Sequence, residues 1–294
     1  MKYQVTHKTT YQYSAATPLS FNQVRLQPRS FDRQNCLHFS LTTNPSSTHR
    51  QDRTDFFGNA LSFLSIQENH LKLQVISESL TEVQPFFIPE EYKNIPWETV
   101  KSDFEKSNSL EQAKIQQFIF DSPFVKRAPE LTQYAMPSFP AGKPFFEGVQ
   151  NLIERIYQDF SYIPNSTTTR TTLLEVIQSK KGVCQDFAHL GIGCLRSLGF
   201  PARYVSGYLE TSPPPGKEKL VGSDASHAWI SVPIPYFGWI DFDPTNNTVV
   251  SDRHITVAWG RDYGDVMPLN GIYWGKGTQV LNVAVDVARK DAEE

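Results

Sequence analysis

Residues 182–201, GVCQDFAHLGIGCLRSLGFP, decide the fold that we expect of this chain. From Cys184 onward the apolar residues recur at helical spacing, and the pattern stops at Gly199 and Pro201. Five segments that are typical of strands follow: ARYVSGYLE, HAWISVPI, GWIDFDPT, HITVAW and TQVLNVAVDV. A helix that begins at or near Cys184 and precedes an antiparallel sheet predicts the α+β class.

Helices are also predicted on the N-terminal side of this segment. LEQAKIQQFIFD begins at Leu110 and PFFEGVQNLIERIYQDF begins at Pro144, and both space apolar residues three and four apart. In TLLEVIQSKKG, Thr172 and Glu175 match a capping box, and Gly182 stands where a C-terminal glycine of a helix belongs. The pattern therefore predicts helices first and strands afterwards.

The chain divides into three parts by its sequence pattern. Residues 1–84 contain short strand-like segments separated by polar turn clusters, which predicts an N-terminal β-sandwich domain. Residues 85–109 mix prolines, charges and aromatics without steady periodicity and are expected to be a linker. Residues 110–294 contain the helices and strands of the α+β core. Within this core, TSPPPGKEKLVGSDAS, residues 211–226, is expected to be a mobile surface loop.

The composition is that of a folded protein and argues against several partners. The 294 residues are 39% hydrophobic and 20% charged, the net charge is −3, and no Lys/Arg stripe indicates nucleic-acid binding. Residues 1–21 lack the apolar core of a signal peptide, and no segment approaches the roughly 18 apolar residues of a membrane span. We expect a cytoplasmic protein that binds neither nucleic acid nor a membrane. Nothing in the sequence indicates its oligomeric state.

Cys184 is the candidate nucleophile among three cysteines. A cysteine in the first turn of a helix lies at the positive end of the helix dipole, which favours the nucleophilic thiolate. Cys194 lies in mid-helix among small and apolar residues and is expected to be structural. Along a shared helix the two cysteines would be about 15 Å apart, too far for a disulfide. This cysteine usage fits a reducing compartment.

Neither a metal nor another cofactor is expected. Cys184 and His189 are five residues apart in the sequence. That spacing is about 140° around a helix, so the two side chains would not converge on one ion. The sequence also contains no C-x-x-C pair. His189 is therefore expected to be a packed or hydrogen-bonded residue of the helix.

His227 is the candidate base, and Asp243 is the candidate residue that orients it. His227 opens a strand after the surface loop, where an imidazole can reach an adjacent site, although a structural histidine fits the same pattern. If the next two strands form a hairpin with a loop at 234–236 or 233–237, His227 lies opposite Asp243. Asp241, one step away on the same face, is the reserve candidate. Asp243 precedes a proline and could instead cap a turn.

Three separated blocks resemble the transglutaminase-like superfamily in their order and spacing: GVCQDFAHLGIGCLRSLGFPARYVSGYL, SHAWISV and GWIDFDPTNN. Together with GRDYGDVMPLNG they cover most of residues 150–275, and the N-terminal strands resemble the β-domain that precedes the core in bacterial members. The resemblance implies a papain-like catalytic core. It implies Cys184 as nucleophile, His227 as base and Asp243 as the third member of a triad that performs acyl transfer.

The resemblance does not include the metal sites that are known in two branches of the superfamily, and this affects the activity that we expect. No segment matches the calcium sites of animal transglutaminases or the zinc-binding C-x-x-C pair of the peptide N-glycanase branch. We expect a cysteine hydrolase of peptide or amide bonds, with the Cys184 backbone N–H as one oxyanion donor. The alternatives are a transglutaminase-type amine acyltransferase and a non-enzymatic binding module. Four aromatic residues could line a cleft or belong to the core: Trp229, Trp239, Trp259 and Tyr263.

Overall fold

The computed structural model describes residues 1–106, 110–211 and 226–290. Its strands are β1 (Lys2–Thr17), β2 (Leu19–Val24), β3 (Gln34–Asn44), β4 (His49–Thr54), β5 (Ala60–Ile66), β6 (His70–Val83), β7 (Ser161–Tyr162), β8 (Lys181–Gly182), β9 (Arg203–Leu209), β10 (Ser226–Ile234), β11 (Gly238–Asp243), β12 (Thr248–Val249), β13 (His254–Gly260), β14 (Leu269–Trp274) and β15 (Gln279–Lys290). Its α-helices are α1 (Glu90–Lys93), α2 (Trp97–Lys106), α3 (Leu110–Gln116), α4 (Pro129–Ala135), α5 (Phe145–Asp159), α6 (Leu173–Ser179), α7 (Cys184–Ser197) and α8 (Tyr263–Val266). The predicted surface loop at 211–226 lies, apart from its two ends, outside the described residues. Among these helices, none is both long and apolar enough to cross a membrane.

The predicted N-terminal sandwich consists of two four-stranded antiparallel sheets. Their strand orders are β15-β1-β6-β3 and β14-β2-β5-β4. Along β1, Tyr3, Val5 and His7 alternate with less buried residues and point to the interior, as the period of a strand requires. The ring of His7 hydrogen-bonds the hydroxyl of Tyr208 on β9 at 3.1 Å, and this contact ties the sandwich to the core.

The C-terminal strands complete the sandwich rather than the core sheet. β15 pairs with β1 from Lys2↔Lys290 to Tyr13↔Gln279, and β14 pairs with β2. The division at residues 1–84, 85–109 and 110–294 stays a prediction, but its last part supplies strands to both sheets of the first. Strands β1 and β15 lie at opposite ends of the sequence, so no local pattern in either strand predicts that they pair.

The segment expected to be a linker, residues 85–109, contains helices α1 and α2. Val100 and Phe104 of α2 are buried and belong to the same hydrophobic cluster as α5, α7 and the core sheet. Two apolar residues four apart on a short helix cover one face, and that face packs here against the core.

The core combines helices with an antiparallel sheet, which confirms the predicted α+β class. Its five strands have the order β12-β11-β10-β9-β13. Helix α7 begins at Cys184, as predicted, and packs on this sheet. A Cβ at Gly191 would lie 3.3 Å from Ile230 of β10, whereas one at Gly193 would lie 2.8 Å from Leu173 of α6. The two glycines therefore allow a sheet and a helix to approach α7 on different sides.

The register of the β10–β11 hairpin differs from the predicted one by two residues. Ile234 pairs with Gly238, and Ile230 pairs with Phe242, so the loop is 235–237. Tyr236 and Gly238 adopt φ values of 64° and 121°, and the N–H of Phe237 donates to the Ile234 carbonyl. The left-handed residues that close this loop set the register. The prediction that His227 lies directly opposite Asp243 is therefore wrong.

Helix α6 has the predicted capping box but a different C-terminus. Thr172 Oγ1 accepts from the N–H of Glu175, whose carboxylate in turn accepts from the N–H of Thr172. At the other end, Lys180 adopts the left-handed conformation, with φ of 54°, in place of the expected Gly182. The Lys180 ammonium lies 4.2 Å from the ring centroid of Phe160, which is a cation–π contact.

Candidate functional site

Cys184 occupies the first position of α7, where backbone N–H groups lack intrahelical partners. The preceding residue, Val183, is extended, and its N–H donates to Asp186 Oδ2 at 2.8 Å. The same oxygen accepts from the hydroxyl of Thr167 at 2.6 Å. A Cβ at Gly182 would lie 2.8 Å from Asp186, so glycine at 182 is explained by this close approach. The buried Asp186 thus fixes the turn that presents Cys184.

His227 lies at the start of β10 and joins two of the candidate residues. Its Nε2 donates to Asp243 Oδ2 at 2.7 Å, and the nearby Cys184 side chain is a second group that raises its pKa. Since Nε2 faces Asp243, Nδ1 is the nitrogen left for the sulfur. Burial opposes the imidazolium, but the hydrogen bonds to Asp243 and Cys184 outweigh burial and raise the pKa of His227 to about 10.

Asp243 is fully buried yet held ionised by hydrogen bonds. Burial would raise its pKa, but hydrogen bonds from His227 and His254 hold the pKa well below its ordinary value. Oδ2 accepts from His227 Nε2, from His254 Nε2 at 3.1 Å and from Asn246 Nδ2 at 2.7 Å. Oδ1 accepts from the backbone N–H groups of Thr245 and Asn246. Asp243 therefore both caps a turn and binds His227.

His227 on β10 and Asp243 on β11 are diagonal neighbours, and not the directly opposed pair that the sequence predicted. In the observed register, the rings of His227 and Trp229 on β10 each reach a carboxylate displaced along β11. His227 bonds Asp243, and Trp229 Nε1 donates to Asp241 Oδ2 at 3.2 Å. Asp241 also accepts from Arg33 at 2.6 Å. The structure thus brings Asp243, and not the reserve candidate Asp241, to His227.

Two residues at this site were missed by sequence reasoning, His254 and Asn246. His254 is 5% exposed, packs edge-on against Trp229, and has no partner for Nδ1 among the described residues. His254 is the first residue of β13 and His227 the second residue of β10, and this shared position near the start of a strand was the available signal. Asn246 also approaches His227 Nε2, at 3.3 Å, from the turn that Asp243 caps.

His227, Asp243 and His254 are the residues that could hold a metal, considering only the described part of the chain. Their ligand atoms lie within 4.8 Å of one another. Both histidine Nε2 atoms already donate to Asp243 Oδ2, so an ion there would replace two hydrogen bonds and remove His227 from its contact with the carboxylate.

Three tyrosines surround Cys184: Tyr162, Tyr204 and Tyr263. Burial, and then the charge on the Cys184 sulfur, raise the pKa of each hydroxyl. Tyr204 is buried, whereas Tyr162 is 52% exposed and marks the solvent side of the site. Aromatic walls of this kind exclude water from one side of a thiolate while leaving an approach from the other.

The remaining cysteines and His189 occupy structural positions. Cys194 is fully buried, and burial raises its pKa to about 12. Burial also raises the pKa of Cys36, whose thiol lies 3.4 Å from the His38 carbonyl. His189 accepts from the N–H of Tyr263 at 3.1 Å, and burial followed by the charge of Arg196 lowers its pKa to about 3. A packed or hydrogen-bonded histidine in the helix is what the sequence predicted.

Comparisons with known proteins agree with this architecture. Residues 3–82 match the bacterial transglutaminase-like N-terminal region, and residues 133–244 match the transglutaminase-like superfamily. An uncharacterized protein of Mycobacterium tuberculosis is 41% identical over 299 residues, which cover 97% of this chain and 92% of that protein. A protein-glutamine gamma-glutamyltransferase of Pseudomonas aeruginosa is 30% identical over 104 residues, 33% of this chain and 16% of that protein. A crystal structure described as a “putative cysteine protease” from Cytophaga hutchinsonii superposes with a TM-score of 0.79 at 23% identity, covering 100% of this chain and 92% of that one.

Proposed function

This chain belongs to the transglutaminase-like superfamily, and we propose that it is a cysteine hydrolase of peptide or amide bonds. Its proposed catalytic residues are Cys184 as nucleophile, His227 as acid and base, and Asp243 as the residue that orients the imidazole. The observation that carries the proposal is the position of His227, which bonds the buried Asp243 through Nε2 and lies close enough to Cys184 for that side chain to raise its pKa. A nucleophile, a base and an orienting group connected in this order are what covalent acyl transfer requires.

The first half of the proposed reaction forms a thioester. The Cys184 thiolate attacks the carbonyl carbon of the substrate amide, and the electron pair of the C=O bond moves onto oxygen. We propose the Cys184 N–H, at the N-terminus of α7, as one donor to that oxyanion. The C–N bond then breaks, the imidazolium of His227 donates its proton to the departing nitrogen, and an amine leaves.

The second half of the reaction releases the acyl group to water. Neutral His227 accepts a proton from a water molecule, which attacks the thioester carbonyl, and the C–S bond breaks to give a carboxylic acid and the Cys184 thiolate. Asp243 acts by fixing the ring orientation of His227 and by balancing the imidazolium charge. Asn246 and His254 hold Asp243 in that position through hydrogen bonds to Oδ2. No metal or other cofactor is required by these steps.

The second candidate is transfer of the acyl group to an amine. It is favoured by the similarity of about a third of this chain to the protein-glutamine gamma-glutamyltransferase of P. aeruginosa. The two reactions share the thioester and differ only in whether water or a primary amine attacks it.

A glutamine-containing peptide library, incubated with and without a labelled primary amine, separates the two candidates. We expect hydrolysis products to exceed amine incorporation in wild-type protein and both to disappear in Cys184→Ser. Cys36→Ser is the matched control, because Cys36 lies on β3 of the sandwich, and it should retain wild-type rates. Amine incorporation in excess of hydrolysis would reverse the order of the candidates, and equal turnover by Cys184→Ser would refute both.

A further inference from the structure

Strand β15 lies at one edge of its four-stranded sheet. Within the described residues it pairs with β1 on one side and with no strand on the other. Its pairing with β1 runs from Tyr13↔Gln279 to Lys2↔Lys290 without a bulge. The free backbone N–H and C=O groups along such an edge can pair with a further strand. The outer edge of β15 is therefore a candidate interaction surface.

The first half of β15 is apolar and exposed. Residues 279–285, QVLNVAV, contain no charged residue, proline or glycine, and the charges of this strand all lie beyond Val285. Val280, Leu281 and Val283 are 59%, 52% and 50% exposed. Val280 points to one face of the sheet, whereas Leu281 and Val283 point to the other, because side chains alternate along a strand. An exposed edge of this composition is prone to pair with another strand.

The three other edges of the sandwich carry features that hinder such pairing. Strand β3, at the opposite edge of the same sheet, has a bulge between Cys36 and His38. Strand β14 is six residues long and contains Gly271. Strand β4 is exposed along its length and carries three charged residues: Arg50, Asp52 and Arg53. Bulges, short length and charges are the means by which proteins protect sheet edges. Their absence from residues 279–285 indicates that another strand covers this segment.

We propose that this partner is β15 of a second copy of the chain, paired antiparallel about a two-fold axis at Asn282. An axis perpendicular to the sheet keeps each face continuous across the junction. Leu281 of one copy then lies opposite Val283 of the other, and Val280 lies opposite Ala284, so that apolar side chains meet on both faces. The two Asn282 side chains face each other, and because an amide has both a donor and an acceptor, they can hydrogen-bond reciprocally.

The neighbouring registers fit this strand less well. An axis at Leu281 would place Val283 opposite Gln279. An axis at Val283 would place Val280 opposite Asp286, which puts a charge beside an apolar side chain. With the axis at Asn282, the two sheets join into one eight-stranded sheet with the order β3-β6-β1-β15-β15-β1-β6-β3.

Analytical ultracentrifugation of the full-length protein, from about 1 to about 300 µM, measures the association. Seven residues per copy bury less than the roughly 800 Å² per partner of a standard interface. We therefore expect a reversible monomer–dimer equilibrium with a dissociation constant on the order of 10–100 µM. Wild-type protein that remains monomeric at every concentration would overturn the proposal.

Asn282→Lys and Asn282→Asp locate the two-fold axis. Each variant alone places two like charges opposite each other and should raise the dissociation constant by about fivefold or more. An equimolar mixture of the two should dimerise within about twofold of wild type, because unlike charges then meet across the axis. Thr42→Lys is the matched control, since Thr42 is exposed on β3 at the opposite edge of the sheet, and it should dimerise like wild type. A mixture that associates as weakly as either variant alone, or a monomeric Thr42→Lys protein, would overturn the proposal.

Asn282→Cys tests the same register without a charge. Directly opposed residues of an antiparallel pair have Cα atoms about 4.5–5.5 Å apart, within the range of a disulfide. Mild oxidation of this variant should give a dimer that peptide mapping shows to be linked through position 282, whereas Thr42→Cys should remain unlinked at position 42. Thermal unfolding checks that each variant is folded. If the charged variants do not fold, cross-linking decides, and a failure to link through position 282 would overturn the proposal.

Discussion

Replacing Asp243 with asparagine is expected to lower the pKa of His227 by several pH units. Despite its burial, His227 has its pKa raised from 6.5 to about 10 by hydrogen bonds to Asp243 and Cys184. The substitution keeps the side-chain shape and removes the buried counter-charge of the imidazolium. The total rise is 10 − 6.5 = 3.5. This net rise already includes the lowering by burial, so the contributions of Asp243 and Cys184 together are larger than the net rise. Because Cys184 supplies only part of them, we expect a decrease of at least about 2 pH units.

Imidazole ¹⁵N chemical shifts of labelled histidine, followed by NMR as a function of pH, measure this pKa without any substrate. Wild-type His227 should remain protonated until the pH approaches 10. Asp241→Asn is the matched control, because Asp241 lies on the same strand and bonds Trp229 and Arg33 instead. We expect that variant to change the pKa of His227 by less than about 1 pH unit. A wild-type His227 that titrates near 6.5, or an Asp243→Asn variant with an unchanged His227 pKa, would contradict the assigned effect of Asp243 on His227.

Asp243→Asn should also change the rate of turnover and its dependence on pH. The imidazolium must donate a proton to the departing amine, so the alkaline limit of activity should follow the pKa of His227. Asp243→Asn should therefore move that limit to lower pH, and it should reduce the rate about 10²–10⁴-fold through loss of proton transfer. An unchanged alkaline limit would contradict the assigned role of His227.

Three further predictions concern reactivity and stability. Iodoacetamide should label Cys184 much faster than Cys36, and His227→Ala should slow the labelling of Cys184; equal rates at both cysteines would contradict an activated thiolate. Gly193→Ala should lower the free energy of unfolding by about 0.5–2 kcal/mol in urea titrations, because the added methyl meets Leu173 at 2.8 Å and this overpacking outweighs the gain of about 1 kcal/mol in helix propensity. Wild-type protein should lose stability in acid more steeply than Asp243→Asn. The depressed pKa of Asp243 contributes stability above its ordinary value of 3.8, and that contribution is lost as the pH falls through the lower folded value.

Each of these three predictions has a control or an outcome that would contradict it. Gly191→Ala is the matched control for Gly193→Ala, because its methyl would be 3.3 Å from the nearest atom and should cost less. For the acid series, identical unfolding midpoints of wild type and Asp243→Asn at every pH would contradict the depressed pKa. For labelling, Cys194 should stay unreactive in folded protein because it is fully buried.

Local sequence signals predicted much of the site. Apolar spacing and the terminating glycine and proline predicted that α7 begins at Cys184, and the Thr172–Glu175 pattern predicted the capping box of α6. These features depend on contacts within a few residues of one another, so short-range patterns encode them. The choice of Asp243 over Asp241 as the partner of His227 agrees with the structure, although the register used to argue it was wrong.

The features that sequence reasoning missed depend on turn geometry or on long-range pairing. Left-handed conformations at Tyr236 and Gly238 moved the hairpin by two residues, and alternation of side chains kept His227 and Asp243 on one face. His254 reaches the site because β13 pairs with β9, at the far edge of the sheet from β11. The position of His254 at the start of a strand is a local signal, but the pairing that brings this strand to the site is not encoded locally.

The most direct test of the account is to identify the residue that carries the acyl group. Wild-type protein is incubated with a reactive peptide ester or amide, quenched in acid, digested and analysed by mass spectrometry. We expect an acyl group on Cys184 that disappears when water is allowed to complete turnover, and no adduct or turnover in Cys184→Ala. Turnover in Cys184→Ala, or an acyl group found only on another residue, would contradict it.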